Sequence, residues 1–373
     1  MPFHKFSEKH WVKRSLPSFL LLPFAFLFGF ILIIRRFFYK KKIFNQYKSQ
    51  SKIISVGNLT AGGNGKTPFT IFLAKYLKSK GYSVAVSHRG YKGRFERSIK
   101  LISDETSIFD CANDAGDEPY LIAKNLQGIP VIVGKNRMKA IKFLEKNFSL
   151  DFVILDDSFQ HLKVKHDLDF LLFNAINPVG NGFIIPAGKL REPISAAKFG
   201  DIIIFNNCPK EFDIPEWAKK FKKTIFKIEY IINNFVNYCD NEINEVNFFR
   251  EKKIFLLSGI GNPKSFEDSI KNLGINFLHH FAFPDHHNFK FERDIQPIIN
   301  KAIKNNINAI LTTEKDYAKL QNLSLSKIDF YYAKLNIKID NSDEFEEIMS
   351  RIHPAQVEDN INNSSFAEVE LIE

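Results

Sequence analysis

The sequence predicts an α/β protein: a P-loop NTPase-type parallel sheet, a second, smaller α/β lobe and an N-terminal hydrophobic membrane-anchor helix. Three observations carry this expectation. Short apolar runs of strand length alternate with segments of helical periodicity along most of the chain. A glycine-rich loop joins the first such strand to the helix after it. An uncharged run of 19 residues, Leu16 to Ile34, precedes both.

That run is just long enough to cross a bilayer, and it is apolar on every side, unlike the surface helix of a soluble core. Arg35 and Arg36 follow it at once without a small-residue cleavage site, which argues against a removed signal peptide. Both flanks are basic, so a simple span would place one of them outside, against the positive-inside bias. Pro17, Pro23 and Gly29 allow the segment to bend and lie in one leaflet with both flanks on anionic headgroups. Span and one-leaflet anchor are both open, and packing on the protein's own surface is the third reading. Residues 1–42 carry a net charge of +8 and the other 331 residues only +2. The basic character therefore belongs to the N-terminus, and the body gives no argument for a nucleic-acid partner.

Next comes Lys52-Ile53-Ile54-Ser55-Val56, which reads as a short buried strand, and Phe69 to Leu77 reads as a helix. Between them lies Gly57-Asn58-Leu59-Thr60-Ala61-Gly62-Gly63-Asn64-Gly65-Lys66-Thr67-Pro68. In such a loop backbone N–H groups close around phosphate oxygens at the positive end of the following helix. Gly57, Asn58, Thr60, Gly62, Gly63, Asn64, Gly65, Lys66 and Thr67 are the candidate nucleotide-binding residues. Lys66 reaches for the outer phosphates and the Thr67 hydroxyl for Mg²⁺. Thr60 stands where a glycine is usual, and Gly62 and Gly63 supply flexibility from inside the loop.

A strand at Tyr82 to Ser87 leads into a polar loop containing Arg89, a candidate anion contact because ligands gather beyond the C-terminal ends of parallel strands. Gly116-Asp117-Glu118-Pro119 reads locally as a helix start, with Asp117 as its cap and Glu118 on the dipole. Arg137 opens another helix. Asp151-Phe152-Val153-Ile154-Leu155-Asp156-Asp157 reads as a buried strand that delivers two carboxylates to the phosphate end of the sheet. Thr67, Asp156 and Asp157 are thus the candidate Mg²⁺ ligands, with the choice between the aspartates open. Arg191, in a loop bounded by Pro186 and Pro193, is placed to meet a phosphate or carboxylate.

These motifs, with Asp156-Asp157-x-Phe159-Gln160-His161, Asp285-His286-His287 and Thr313-Glu314-Lys315-Asp316, resemble the tetraacyldisaccharide 4'-kinase family in order from about Ile53 to Lys319. Thr60 is at home there, since the family's loop also begins Gly-Asn-Leu-Thr; Asn64, Ser158 and Lys189 depart from its pattern. The resemblance implies ATP-dependent phosphorylation of the 4'-hydroxyl of a lipid A disaccharide precursor in a Gram-negative bacterium. It implies Asp117 as catalytic base with His286 as partner, and Lys66 and Arg191 as catalytic groups. Arg89, Glu118, Arg137 and Arg191 are then substrate or phosphate contacts. The partners implied are the lipid precursor and inner-membrane lipids, on the cytoplasmic face where ATP is found; no protein partner is inferred.

Domain expectations follow: an anchor at 1–44, a P-loop kinase domain at 45–225, a second lobe at 226–352 and an acidic disordered tail at 353–373. Lys210 to Phe249 holds no motif and is read as a bridge between lobes. The three cysteines lack metal-ligand spacing, which fits a reducing compartment. Without the resemblance, His279, His280, His286 and His287 would suggest a metal or phosphoesterase cluster. A membrane-attached NTPase switch and a non-enzymatic membrane scaffold are the competing functional classes.

Overall fold

The computed structural model describes residues 11–90, 93–109, 112–285, 287–320 and 328–352. His286, Tyr91, Cys111 and the acidic tail lie outside the described residues. The strands are β1 (Lys52–Gly57), β2 (Val84–His88), β3 (Lys100–Ser103), β4 (Val131–Val133), β5 (Phe152–Asp156), β6 (Leu168–Asn174), β7 (Ile202–Asn206), β8 (Thr224–Asn237), β9 (Ile243–Glu245), β10 (Ile254–Ser258), β11 (His279–Ala282), β12 (Ala309–Thr313) and β13 (Asp329–Ile339). The longer helices are α1 (Leu22–Lys40), α2 (Lys66–Ser79), α3 (Asp117–Asn125), α4 (Arg137–Asn147), α5 (Pro263–Asn272), α6 (Gln296–Lys304), α7 (Glu314–Leu320) and α8 (Ser342–Ser350).

All the strands join one sheet in the order β11-β10-β12-β13-β8-β7-β6-β1-β5-β2-β4-β3, with β9 paired to β8. The strands from β4 to β8 run parallel to one another and so do β10 to β13; β3 is an antiparallel edge. Every residue of β2 and β5 is buried, as is all of β1 after Lys52, which is why these strands read as unbroken apolar runs rather than alternating ones. Their connections cross to one side of β1 for β5 and β2 and to the other for β6, which creates a switch point at the C-terminal end of β1.

The two halves meet at β8, which pairs with β7 in parallel over Thr224–Ile228 and with β13 antiparallel from Ile228 to Asn237. The motif-free stretch thus contains the strand that belongs to both halves. A register shift at Lys334/Leu335 leaves Asn233 as an extra residue on β8, a bulge that increases the local twist of the ribbon. The chain then returns to the first half. Phe345 of α8 sits among Phe72, Tyr76, Phe170 and Phe226, at centroid separations of 5.4–6.3 Å. A buried phenylalanine contributes about 2–3 kcal/mol, so α8 ties the end of the second half to the first half's core.

At the N-terminus, α1 is the one helix among the described residues that is long and apolar enough to cross a membrane. It runs through Gly29 without interruption and extends past Ile34 to Lys40, beyond the end expected from the uncharged run. The break lies earlier, at Leu21, before Pro23. Gly29 serves a close approach instead of a bend: a Cβ there would lie 2.8 Å from Ile184 Cδ1. Ser18 is fully buried and Trp11 Nε1 donates to Pro186 O at 3.2 Å, so this region is docked on the 181–186 loop. Phe24, Phe26, Leu27, Phe30, Ile31, Ile33 and Phe37 face outward, each more than half exposed.

Candidate functional site

Parallel pairing puts the C-terminal ends of β1, β2, β5, β6 and β7 on one edge, and a cavity of 2140 Å³ opens there. That is about twice the upper end of an ordinary small-ligand pocket, so it has room for two substrates. The glycine loop and the ends of β2 and β5 line it from the first half. Tyr230 of β8, Asp285 and the Thr313-Glu314-Lys315 segment line it from the second. Phe28, Leu32 and Arg35 of α1 form a further wall, next to Ile176 and Ile185.

Within the glycine loop the residues divide into frame and lining. Thr60 is fully buried and bridges to Leu190, while Ala61 N–H donates to Lys189 O and Arg191 N–H to Leu59 O, both at 2.7 Å. Thr60 can therefore replace the usual glycine because this position holds the loop to the 186–193 segment rather than to a ligand. Asn64 Nδ2 donates to Thr60 Oγ1 at 2.8 Å, and Asn58 Nδ2 to Thr60 O at 2.8 Å. Gly62, Gly63, Asn64, Gly65, Lys66 and Thr67 face the cavity; Gly57, Asn58 and Thr60 do not line it. Gly57 is required by a close approach, since a Cβ there would lie 2.4 Å from Phe159 Cβ. Gly65 opens α2 with φ +69°, and its Cβ would meet the Tyr230 hydroxyl at 1.7 Å. That hydroxyl, kept protonated by burial, donates to Gly65 O at 3.3 Å, and Asn206 Nδ2 donates to Asn64 O at 2.7 Å. A strand of the second half thus touches the loop directly.

Asp156 and Asp157 separate into different environments. Thr67 Oγ1 donates to Asp156 Oδ2 at 3.2 Å, while the buried Asp156 Oδ1 has no partner. Burial raises the pKa of Asp156, opposed by His88 and Lys66 and reinforced by the charges of Glu118 and Asp157. Asp157 instead meets Lys66 Nζ at 3.6 Å and accepts from Arg191 Nη1 at 2.7 Å. Burial would raise its pKa, but Lys66 and Arg191 hold it well below the usual carboxylate range.

His88, which carries no local signature as the last residue of β2, lies at the centre. Gly90 N–H donates to its Nδ1 at 2.9 Å, so the proton sits on Nε2, 3.3 Å from Glu118 Oε2 and 3.8 Å from Asp156 Oδ2. Burial would raise the pKa of Glu118, but His88, Lys315 and Lys66 outweigh it and hold it down to about 2. Its contribution to stability is therefore complete above the ordinary glutamate range and is lost as pH falls through about 2.

The remaining candidates are spread more widely. Asp117, beside Glu118 on α3, is directed to α7, with Oδ2 3.9 Å from Lys319 Nζ, and does not line the cavity. Arg137 is almost wholly buried at the cavity wall, donating to Ser87 Oγ and to Asp156 O. Burial lowers its pKa to about 10, so it stays charged and braces the strand end. Arg89 lines the cavity but pairs with Glu96 at 2.8 Å. His161 lines it as well, its pKa lowered to about 4 by burial and by Arg137, and is neutral at pH 7.

Among the described residues no group of three or more His, Cys, Asp or Glu side chains is placed to hold a metal ion. His287 pairs with Asp294 at 3.0 Å. His280 bridges Ser258 Oγ at 2.8 Å and Glu267 at 2.7 Å. That chain has the form of a nucleophile relay, but Ser258 is wholly buried and outside the cavity lining, which makes it a strut.

A family model described as Tetraacyldisaccharide-1-P 4'-kinase matches residues 17–353. A tetraacyldisaccharide 4'-kinase of Actinobacillus succinogenes is 35% identical over 309 residues, covering 83% of this chain and 87% of its own. One of Desulfatibacillum aliphaticivorans is 32% identical over 333 residues, covering 87% and 90%. Among solved structures, LpxK of Aquifex aeolicus in complex with ATP matches with a TM-score of 0.75 at 30% identity, over 91% of this chain and 100% of that one.

Proposed function

The chain belongs to the tetraacyldisaccharide-1-P 4'-kinase family, and from that premise we propose how its residues carry out the reaction. The reaction is transfer of a phosphoryl group from ATP to the 4'-hydroxyl of the lipid A disaccharide precursor. In the proposed arrangement Gly62 to Thr67 cradle the ATP phosphates, and Lys66 and Arg191 neutralise charge on the group in flight. Asp157, which meets both cations, orients them. Asp117 accepts the proton of the attacking hydroxyl, with His286 as its partner, and Arg89 steadies substrate charge at the cavity edge.

Mg²⁺ fits the residues present, because Asp156 Oδ1 is buried without a partner beside the Thr67 hydroxyl. Mg²⁺ needs only one or two protein ligands when phosphates and water complete its shell, so the absence of a carboxylate cage is no obstacle. Thr67 and Asp156 would hold it, with Glu118 nearby, and bound there it supplies positive charge to the phosphates.

The observation that carries this reading is the single cavity that joins Lys66, Thr67, Asp156 and Asp157 to the apolar wall of Phe28 and Leu32. The disaccharide lies between them with its acyl chains along α1, which rests in the cytoplasmic leaflet of the inner membrane. The test is transfer of labelled γ-phosphate from ATP to a disaccharide lipid precursor in detergent micelles. Labelled lipid is expected; hydrolysis to free phosphate with no labelled lipid would sink the assignment of this site to kinase chemistry.

The outward face of α1 gives a second expectation. Replacing Phe26, Phe30 and Ile33 together by serine removes three large apolar side chains, each more than half exposed. Each contributes on the order of 1.5–3 kcal/mol when buried in lipid, so co-sedimentation with phospholipid vesicles should fall at least about tenfold. Nucleotide binding, measured with a fluorescent ATP analogue, should not change. Vesicle binding equal to that of the parent chain would remove α1 as the anchor.

A further inference from the structure

We propose that Arg36 is a positioning residue for the transfer, acting through Glu192 to hold Arg191 against Asp157 and so to couple the seating of α1 to the phosphate site. The proposal rests on the reading of Arg191, Asp157 and Lys66 given above. By sequence Arg36 belongs to the basic flank that would touch lipid headgroups, and its geometry excludes that. Its side chain is only 11% exposed, and its guanidinium forks onto the Glu192 carboxylate, with Nη2 2.9 Å from Oε1 and Nε on Oε2. The same group lies 4.4 Å from the centroid of Phe159 and 5.1 Å from that of Phe199.

A buried ion pair is a weak device for stability, because desolvation offsets most of its attraction. Glu192 is 4% exposed, so the pair is held in the interior at that cost, and what it supplies is a fixed geometry. The position it fixes is informative. Glu192 is the neighbour of Arg191, whose Nη1 is 2.7 Å from Asp157 Oδ1, and that oxygen is 3.6 Å from Lys66 Nζ. Arg36 holds the other end as well, since Phe159 belongs to the loop that carries Asp157. One residue earlier on the helix, Arg35 Nη2 donates to Gln160 O at 3.1 Å, and Gln160 Nε2 donates to Asn58 O at 2.9 Å. A single turn of α1 therefore grips both loops that bring Arg191 and Asp157 together. A tilt of that helix in the lipid would be felt at the phosphates.

The test uses the full chain in lipid nanodiscs, with kcat for the lipid substrate, KM for ATP and vesicle co-sedimentation measured for each variant. Arg36→Ala should lower kcat by about ten- to a hundredfold, the scale of a displacement of roughly 1 Å at a reacting group, and leave vesicle binding unchanged. Arg36→Lys should recover only part, because an ammonium cannot form the fork. If Arg36 acts through Arg191, its loss should cost little more in an Arg191→Ala background. An equal loss in both backgrounds, or a loss that follows vesicle binding, overturns the proposal. Arg191→Ala at full turnover would instead overturn the reading on which it rests. Since Arg36→Ala strands a buried carboxylate, a second variant guards against misfolding. Arg36→Met with Glu192→Leu keeps an apolar filling, and should fold yet show the same loss of kcat; full turnover in that variant also overturns the proposal.

Discussion

Lys66→Ala is expected to lower kcat by about a thousandfold or more, with the chain still folded. Phosphoryl transfer asks the protein for positioning and charge rather than covalent chemistry, and removing one preorganised donor from such a site typically costs about 10²–10³ in rate. Lys66 is placed for a larger effect. Its side chain is 11% exposed, so its charge acts in a partly water-excluded site, and it is the first helical residue after Gly65, whose left-handed conformation a glycine adopts freely. Its charge also helps to keep Asp157 and Glu118 ionised. Alanine would remove a cation from the phosphates and loosen two carboxylates at once. Single-turnover transfer with saturating ATP separates the chemical step from nucleotide affinity. Turnover within tenfold of the parent, in a variant with unchanged circular dichroism, would take Lys66 out of the site.

The parts of this protein that can be read locally are those whose chemistry is written in consecutive residues. The glycine loop sits between β1 and α2, and the strand ending in Asp156 pairs directly with β1, as parallel α/β patterning leads one to expect. The division of labour between Asp156 and Asp157 could not be read. It depends on which carboxylate faces Thr67 and which faces Arg191, and Arg191 lies 34 residues away in sequence. His88 was hidden for the same reason: a histidine closing a buried strand has no pattern of its own, and only Glu118 opposite gives it a role. The one available signal was its position at a C-terminal strand end beside Arg89.

How the second half joins the first is not legible in the sequence, for a physical reason. Apolar periodicity reports which residues are buried, and it is silent on which strands pair. Two lobes joined by a bridge and one sheet continued through β8 leave nearly the same pattern. The mixed polar and aromatic composition of Lys210 to Phe249 reflects a strand that serves first one neighbour and then another, with a bulge between. Arg35 and Arg36 mislead in the opposite way. Two arginines after an apolar run look like headgroup contacts, and it takes the docked helix to turn Arg36 onto Glu192.

Asp117→Asn is the second large effect expected: a fall in kcat of about 10²–10⁴, with KM for ATP within a few-fold of the parent. Asp117 and Glu118 are consecutive on α3, so they point about 100° apart and cannot do the same work. Glu118 faces His88 and the cavity. A carboxylate held down to about 2 by those neighbours takes a proton poorly, which makes it a poor base and a good charge partner. Asp117 points instead toward Lys319 of the second half. The proposed role of Asp117 therefore depends on how the two halves meet, and the Tyr230 hydroxyl ties β8 to Gly65 of the glycine loop. Asparagine keeps the shape of Asp117 but removes both its ability to accept a proton and the charge that faces Lys319. Glu118→Gln should instead weaken ATP binding in the presence of Mg²⁺ and leave a measurable kcat at saturation. If Asp117→Asn kept turnover within tenfold while Glu118→Gln abolished it, the two roles would have to be exchanged, and the cavity-facing carboxylate would be the base in spite of its depressed pKa.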